Sequence, residues 1–362
     1  MNTFAPALAH ARQNLPSGVP VVDVDVHVNV PSIQTLLAYL DPHWRAFIAE
    51  RQYAGPPGLR TVYPPGSPGT ARPEWRPERG LPAASLATVR HQVLDSWRPD
   101  VAILHCYYAI DSCRHPDVAA ALARAVNDWL IDEWLSRDSR LRASLVVPAH
   151  TFADAAAEID RVGGHPGFVQ VTMPARSMQP YGRRNWWPVY EAMLRHGLVM
   201  GLDWGGTSDG APTPTGWPSW FAEEYAGELQ VYMSQILSML AEGTFEQYPE
   251  LRVAVLGAGF GWVPSLIWRL DKEWRGLRRT IPWMRQPAET IRGHFRFCTA
   301  PPDLGPPAEA ARLVSWLGTG MLMFGSDYPH AYHGDVGDLL EVIPAAELPA
   351  VLSGNATELY QL

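Results

Sequence analysis

Met321-Leu322-Met323-Phe324-Gly325-Ser326-Asp327-Tyr328-Pro329-His330 carries four apolar residues into a glycine, a serine, a carboxylate and a Tyr-Pro-His triplet. A run without polar alternation suits a parallel strand covered on both faces. Pro329 cannot donate to a ladder and stops the strand. The stretch reads as a buried strand over 321–326 whose C-terminal end delivers Asp327 into a polar opening. Near the other end of the chain, Val21-Val22-Asp23-Val24-Asp25-Val26-His27-Val28 has the same form. Simple alternation puts Val22, Val24 and Val26 on one face and Asp23, Asp25 and His27 on the other. An Asp-x-His pair on one strand face can chelate a single metal. Two such strands in one barrel bring Asp25, His27 and Asp327 to one centre.

Composition narrows the class. A chain of 362 residues, 47% hydrophobic and 18% charged, can bury a large core and is not globally disordered. A net charge of -8 without a basic run argues against a nucleic-acid binder. No apolar run reaches the roughly 18 residues of a membrane span. The N-terminus lacks the regions of a signal peptide. Cys106, Cys113 and Cys298 are too few and scattered for a disulfide framework, which fits a reducing, cytoplasmic setting. None has a neighbouring base, and none is assigned a catalytic role. Aromatic loops rich in Trp suit interface cores, so at least a homodimer is expected.

Between the two strands the chain alternates. Residues 1–19 read as an N-terminal arm, 20–27 as strand one and 32–50 as a helix. Residues 54–82 hold too many Pro and Gly for regular structure and read as an ordered insertion, a lid over the cavity mouth or part of a subunit interface. Helices are then expected over 83–96, 117–137, 152–162, 186–196, 224–242, 262–278 and 307–317. Strands are expected over 100–107, 141–147, 167–173, 198–203, 251–256, 295–299 and 321–326. Eight strands separated by helices argue for one (β/α)8 TIM barrel over residues 1–362, distorted and carrying the insertion after its first helix.

Several pieces together resemble the amidohydrolase-related family often called amidohydrolase 2, which holds aminocarboxymuconate-semialdehyde decarboxylase-like enzymes. They are Val22-Asp23-Val24-Asp25-Val26-His27-Val28, Pro188-Val189-Tyr190-Glu191-Ala192, His196-Gly197-Leu198, and Tyr248-Pro249-Glu250-Leu251-Arg252-Val253. Gly259-Phe260-Gly261-Trp262-Val263-Pro264, Trp268-Arg269-Leu270-Asp271, Phe324-Gly325-Ser326-Asp327-Tyr328-Pro329-His330 and Gly354-Asn355-Ala356 complete them. The resemblance implies one divalent metal at the C-terminal strand ends, and decarboxylation, hydrolysis or hydration of small carboxylated or aromatic compounds. It puts metal ligands at Asp25, His27 and Asp327, with Asp327 also the proton carrier. Two positions depart from the family pattern. Strand five ends in Asp203 where the family has a ligand histidine, and strand six ends in Gly257 where it has a His or Glu.

Asp25, His27, Asp203 and Asp327 still make a four-ligand set. Three carboxylates and one imidazole form a hard, anionic site, which shifts preference from zinc toward manganese or magnesium and leaves zinc open. A structural reading stands beside each role: a buried polar pair for Asp25 and His27, a turn residue for Asp327, a metal-free hydrogen-bonded carboxylate for Asp203. His330 is expected to act with Asp327 in catalysis. His105, Arg176 and Trp204 are expected to contact substrate; their structural alternatives are an interior histidine, a solvated loop arginine and a packed core tryptophan. The function expected is a metal-dependent decarboxylase or hydrolase of a small carboxylated substrate, aromatic or cyclic. The alternative is a non-catalytic paralogue that scaffolds or regulates an active homologous subunit. The loss of the strand-five histidine favours the alternative, and the retention of Asp25, His27 and Asp327 opposes it.

Overall fold

Strands too apolar to face water on either side need helices over them, and the chain supplies one after nearly every strand. In the computed structural model, which describes residues 18–57, 71–206, 213, 215–330 and 336–362, eight parallel strands neighbour one another in chain order. They are β1 Val22–His27, β2 Val101–His105, β3 Leu141–Leu145, β4 Phe168–Pro174, β5 Val199–Asp203, β6 Val253–Val255, β7 Phe295–Cys298 and β8 Leu322–Met323. The ring closes where Val24 N donates to Phe324 O (3.0 Å) and His27 N to Tyr328 O (2.7 Å). This is the expected (β/α)8 barrel, with a short last strand and a seam of two bonds in place of a full ladder.

The helices follow from local sequence. In Pro116–Leu130, Pro116 at the first position lacks only an amide that has no helical partner. His115 Nδ1 accepts from Val118 N at 3.5 Å. Val118, Leu122, Ala125, Val126 and Trp129 recur at helical spacing and are buried against the barrel. Burying each large apolar side chain contributes about 1.5–3 kcal/mol. A second, smaller cluster fills the barrel itself, with Val22, Val24, Ile103, Val199 and Met323 among its members. The C-terminal helix Asn355–Tyr360 closes the bottom of the barrel by adding Ala356 and Tyr360 to that cluster.

Four expectations are corrected. The helix expected over 32–50 is broken into Ile33–Leu36, a tight turn at Leu37–Tyr39 and Pro42–Arg51. Pro42 has no amide to continue a helix and holds Asp41 extended. The helix expected over 224–242 is Phe221–Gly227 followed by Leu229–Ala241. Strand eight is two residues rather than six, because the backbone leaves the ladder early: Phe324 N donates to Val351 O at 2.9 Å. The fourth concerns the faces of β1. Its register against β2 shifts between Asp23 and Val26, and such a bulge breaks alternation. Val22 and Val24 pack inside the barrel, while Val26 joins the outer core. Asp25 turns inward beside Cys298, whereas Asp23 turns to Trp97 in the outer core. Residues 1–17 of the expected arm and 58–70 of the insertion expected at 54–82 lie outside the described residues.

Candidate metal centre

Two strand ends and one turn meet at the mouth of the barrel. His27, the last residue of β1, places Nε2 3.0 Å from Asp25 Oδ1 and 3.0 Å from Asp327 Oδ1. His330 Nδ1 lies 2.7 Å from the same Asp327 oxygen. Asp203, at the end of β5, joins Asp25 and His27 with ligand atoms all within 4.8 Å of one another; His27, Asp327 and His330 form a second such group. All four residues expected as ligands are thus brought together, and His330 joins them.

Asp25, Asp203 and Asp327 are at most 1% exposed. Among the described residues no lysine or arginine pairs with any of them. Burying three carboxylates against imidazoles alone is costly unless a cation balances them. Among the described residues, Asp327 Oδ2 is buried with no hydrogen-bond partner, and Asp25 Oδ1 is buried with only His27 Nε2 beside it. The separations themselves are informative. Adjacent ligands of a six-coordinate ion with bonds of about 2.1 Å lie about 3.0 Å apart, against about 3.4 Å around a tetrahedral ion. The 3.0 Å contacts of His27 are compatible with the former and are also the length of an ordinary hydrogen bond. The residues present fit a divalent cation.

Each charge is shaped by its surroundings. Burial alone would lower His27, but Asp25 and Asp327 carry it well above its ordinary value. Burial alone would raise Asp327, yet His330 and His27 hold it below the usual carboxylate range. Burial pushes Asp203 up, against the pull of His105 and His27. The turn that presents Asp327 is tied down from β1. Asp23 accepts from Ser326 N at 2.9 Å, Asp25 N at 3.2 Å and Trp97 Nε1 at 3.3 Å. Burial still pushes the Asp23 carboxyl up to about 7.

The profile of the Amidohydrolase family matches residues 22–362. This chain belongs to the amidohydrolase family. It is 24% identical over 263 residues to the gamma-resorcylate decarboxylase of Polaromonas sp. (strain JS666), an alignment covering 66% of this chain and 76% of that one. Its fold is similar to that of the dihydroxybenzoic acid decarboxylase from Polaromonas sp. JS666, solved with manganese and the inhibitor 2-nitroresorcinol. The TM-score is 0.67 at 18% identity, covering 95% of this chain and 97% of that one. It is likewise similar to the 5-carboxyvanillate decarboxylase from Novosphingobium aromaticivorans DSM 12444, solved with manganese and 4-hydroxy-3-methoxy-5-nitrobenzoic acid. There the TM-score is 0.69 at 16% identity, covering 95% and 98%.

The two departures of this amidohydrolase have structural counterparts. Asp203 does not stand alone at the end of β5: its Oδ1 accepts from Trp204 N at 2.8 Å, and its Oδ2 lies 3.5 Å from His105 Nδ1. At Gly257 (φ +64) a Cβ would meet Trp204 Cβ at 3.1 Å, with Asp203 Oδ1 and the Tyr232 hydroxyl both at 3.7 Å. Tyr232, buried on Leu229–Ala241, donates to Leu256 O at 2.7 Å. A tyrosine hydroxyl therefore stands beside the place where a strand-six side chain would be.

His105, expected at the substrate, lies beneath it. It is 1% exposed, with Nε2 2.8 Å from Val24 O and Nδ1 3.1 Å from Ser144 Oγ. Since a carbonyl only accepts, Nε2 carries the proton and Nδ1 accepts from Ser144. Gln170 donates on to Ser144, and Tyr360 donates to Gln170 Oε1 at 2.8 Å. The chain of bonds crosses the barrel from the C-terminal helix to Val24 O. Sequence reading missed Ser144 and Gln170; their signal was a polar residue inside an otherwise apolar strand. Arg176, expected to clamp a substrate carboxylate, instead holds the chain's own Glu228 (2.8 Å) and Glu224 (2.7 Å). Trp204 is half-buried beside Gly257, and its Nε1 is buried without a partner among the described residues.

Proposed function

We propose that the protein is a divalent-metal-dependent decarboxylase of a small hydroxylated aromatic carboxylic acid. The observation that carries this reading is the cluster of buried carboxylates around His27 at the C-terminal ends of the strands, with no lysine or arginine partner among the described residues. On this fold those ends are where chemistry occurs. The reaction class is supported by the relatives, whose names are those of decarboxylases of hydroxylated benzoates.

Asp25, His27 and Asp327, with Asp203 beside them, would hold the ion, manganese or zinc. When bound it would polarise substrate oxygens and balance the negative charge of the site. Asp327 is the proton carrier. Its Oδ1 faces the His27 and His330 nitrogens, which leaves Oδ2 for the substrate. The two imidazoles keep it anionic near neutral pH, so it begins as a base. It takes the proton of a phenolic hydroxyl and returns it to the ring carbon that bears the carboxylate. As that C–H bond forms, the C–C bond to the carboxylate breaks, its electrons restore the aromatic ring, carbon dioxide leaves and the phenoxide oxygen regains a proton from water. His330 orients Asp327 by the 2.7 Å contact. Trp204 would form an aromatic wall for the ring.

The test is carbon dioxide release from a panel of hydroxybenzoates, including 2,6-dihydroxybenzoate and 5-carboxyvanillate, with protein loaded with manganese. Release that requires metal and falls about 10²–10⁴-fold in Asp327→Asn is expected. A metal-loaded protein that releases none from any member overturns the proposal.

A further inference from the structure

We infer that His330 is a direct metal ligand through Nδ1, supplying the second imidazole that β5 does not provide. This rests on the reading of the cluster as a divalent-metal site. The donor set becomes His27, His330, Asp25 and Asp327, drawn wholly from β1 and the turn after β8. Asp203 is a neighbour of that set, within 4.8 Å of Asp25 and His27.

Four observations converge. First, ligand atoms of His27, Asp327 and His330 all lie within 4.8 Å of one another, and the rings of His27 and His330 are 4.5 Å apart at their centroids. Second, Asp327 Oδ1 has two imidazole nitrogens on it, at 3.0 and 2.7 Å, while His27 Nε2 is also 3.0 Å from Asp25 Oδ1. One N–H shared between two oxygens makes a three-centre bond weaker than a direct one, whereas lone pairs on all these atoms can aim at one cation. Third, the backbone is built to present His330. Asp327 adopts φ +49, a left-handed conformation uncommon outside glycine and the short polar residues. His330 N donates to Asp327 O at 2.9 Å, which folds the imidazole back over the carboxylate. From outside, Ala71 bridges to His330, Arg72 N donates to Pro329 O at 2.9 Å and Arg72 Nε to His330 O at 3.4 Å. Fourth, one oxygen of Asp203 is already held, by Trp204 N at 2.8 Å.

Two imidazoles and two carboxylates leave a dication neutral, whereas three carboxylates leave it anionic. The site is then less hard than the ends of β1, β5 and β8 suggest, and zinc competes better with manganese. Loss of affinity alone does not separate a ligand from an outer partner, since removing either costs about 10–100-fold. Counting coordinated nitrogens does.

The experiment loads native protein, His330→Ala, His330→Gln and Asp203→Asn with manganese, measures affinity, and counts imidazole couplings by pulsed electron paramagnetic resonance. Folding is checked by melting curves. The expected result is two imidazoles in native protein and in Asp203→Asn, and one in both His330 variants, with affinity reduced at least 10-fold there. One imidazole in the native protein overturns the inference and leaves the decarboxylase reading intact. So does an unchanged count in both His330 variants. Should His330→Ala misfold, His330→Gln carries the test, because it keeps a hydrogen-bonding side chain and removes the imidazole. Native protein that binds neither manganese nor zinc overturns the inference and the metal-dependent reading together.

Discussion

At the scale of single residues, charge in this protein is either shared at the centre or paired at the rim. Asp327 and His27 belong to the first kind, and their states are set by neighbours within 3.0 Å. Asp138 belongs to the second. It precedes β3, its side chain is 8% exposed, and it accepts from Arg140 Nε at 3.0 Å, Arg140 Nη2 at 2.8 Å and Arg90 Nε at 2.9 Å. Arg140 first, then Arg90, holds its carboxyl far below the ordinary 3.8. A depressed folded value means the unfolded chain binds the proton more readily. The contribution is therefore complete above about pH 4 and is lost as pH falls below it. Both arginines are partly exposed, so solvent screening limits the term. Asp138→Asn is expected to destabilise the protein by about 1 kcal/mol at pH 7, with the gap closing toward pH 2. Denaturant melts at pH 7, 4 and 2.5 measure this; a gap independent of pH contradicts it.

At the scale of elements, the seam between β1 and β8 decides whether the ligands meet. The bulge in β1 brings Asp25 inside with His27, and the early exit of β8 lets the chain turn Asp327 toward them. Gly325 makes that approach possible. A Cβ there would collide with Cys298 Sγ and lie 2.8 Å from Asp25 Cβ. Both neighbours are fully buried and cannot yield. Gly325→Ala must therefore push β8 away from β1, at a cost of about 1–3 kcal/mol by the usual penalty for overpacking. Because Asp25 is displaced with it, metal affinity is expected to fall as well as the melting temperature. Isothermal titration with manganese alongside a thermal melt checks both; normal metal affinity in a destabilised variant contradicts this account of the seam. Beside the seam, Trp75 from the described end of the Pro/Gly-rich insertion packs 4.9 Å from Tyr328 and 6.2 Å from Trp97. The insertion thus buttresses the strand-eight turn.

At the scale of the molecule, a metal here joins the two ends of the barrel. Asp25 and His27 lie near one end of the described chain, Asp327 and His330 near the other. An ion that binds only the folded form stabilises it by mass action, about 2.7 kcal/mol at a hundredfold excess over Kd. For a protein of this size that is a rise of about 3–5 °C in melting temperature. Chelation of metal-loaded protein is expected to reverse the rise, and manganese to restore it. Scanning calorimetry is the measurement, and a melt indifferent to both chelator and manganese argues against a bound ion.

What the sequence determined by itself was everything that depends on pattern along the chain. Eight apolar strands alternating with amphipathic helices specify a parallel sheet covered on both faces and favour a closed barrel over an open doubly wound sheet. The polar residues closing strands one, five and eight mark its mouth, because side chains at strand ends have nowhere else to point. What only the tertiary structure decided was the direction and pairing of those side chains. The β1 bulge, invisible to a rule of simple alternation, separates Asp23 from Asp25. Arg176 finds Glu224 and Glu228, about fifty positions away. His105 is satisfied by Ser144 and Val24 O before any ligand arrives. His330 reaches the ligands because Asp327 takes a left-handed turn. Period and composition act over a few residues, but which donor meets which acceptor depends on distances between segments far apart in sequence. Those distances exist only once the barrel has closed.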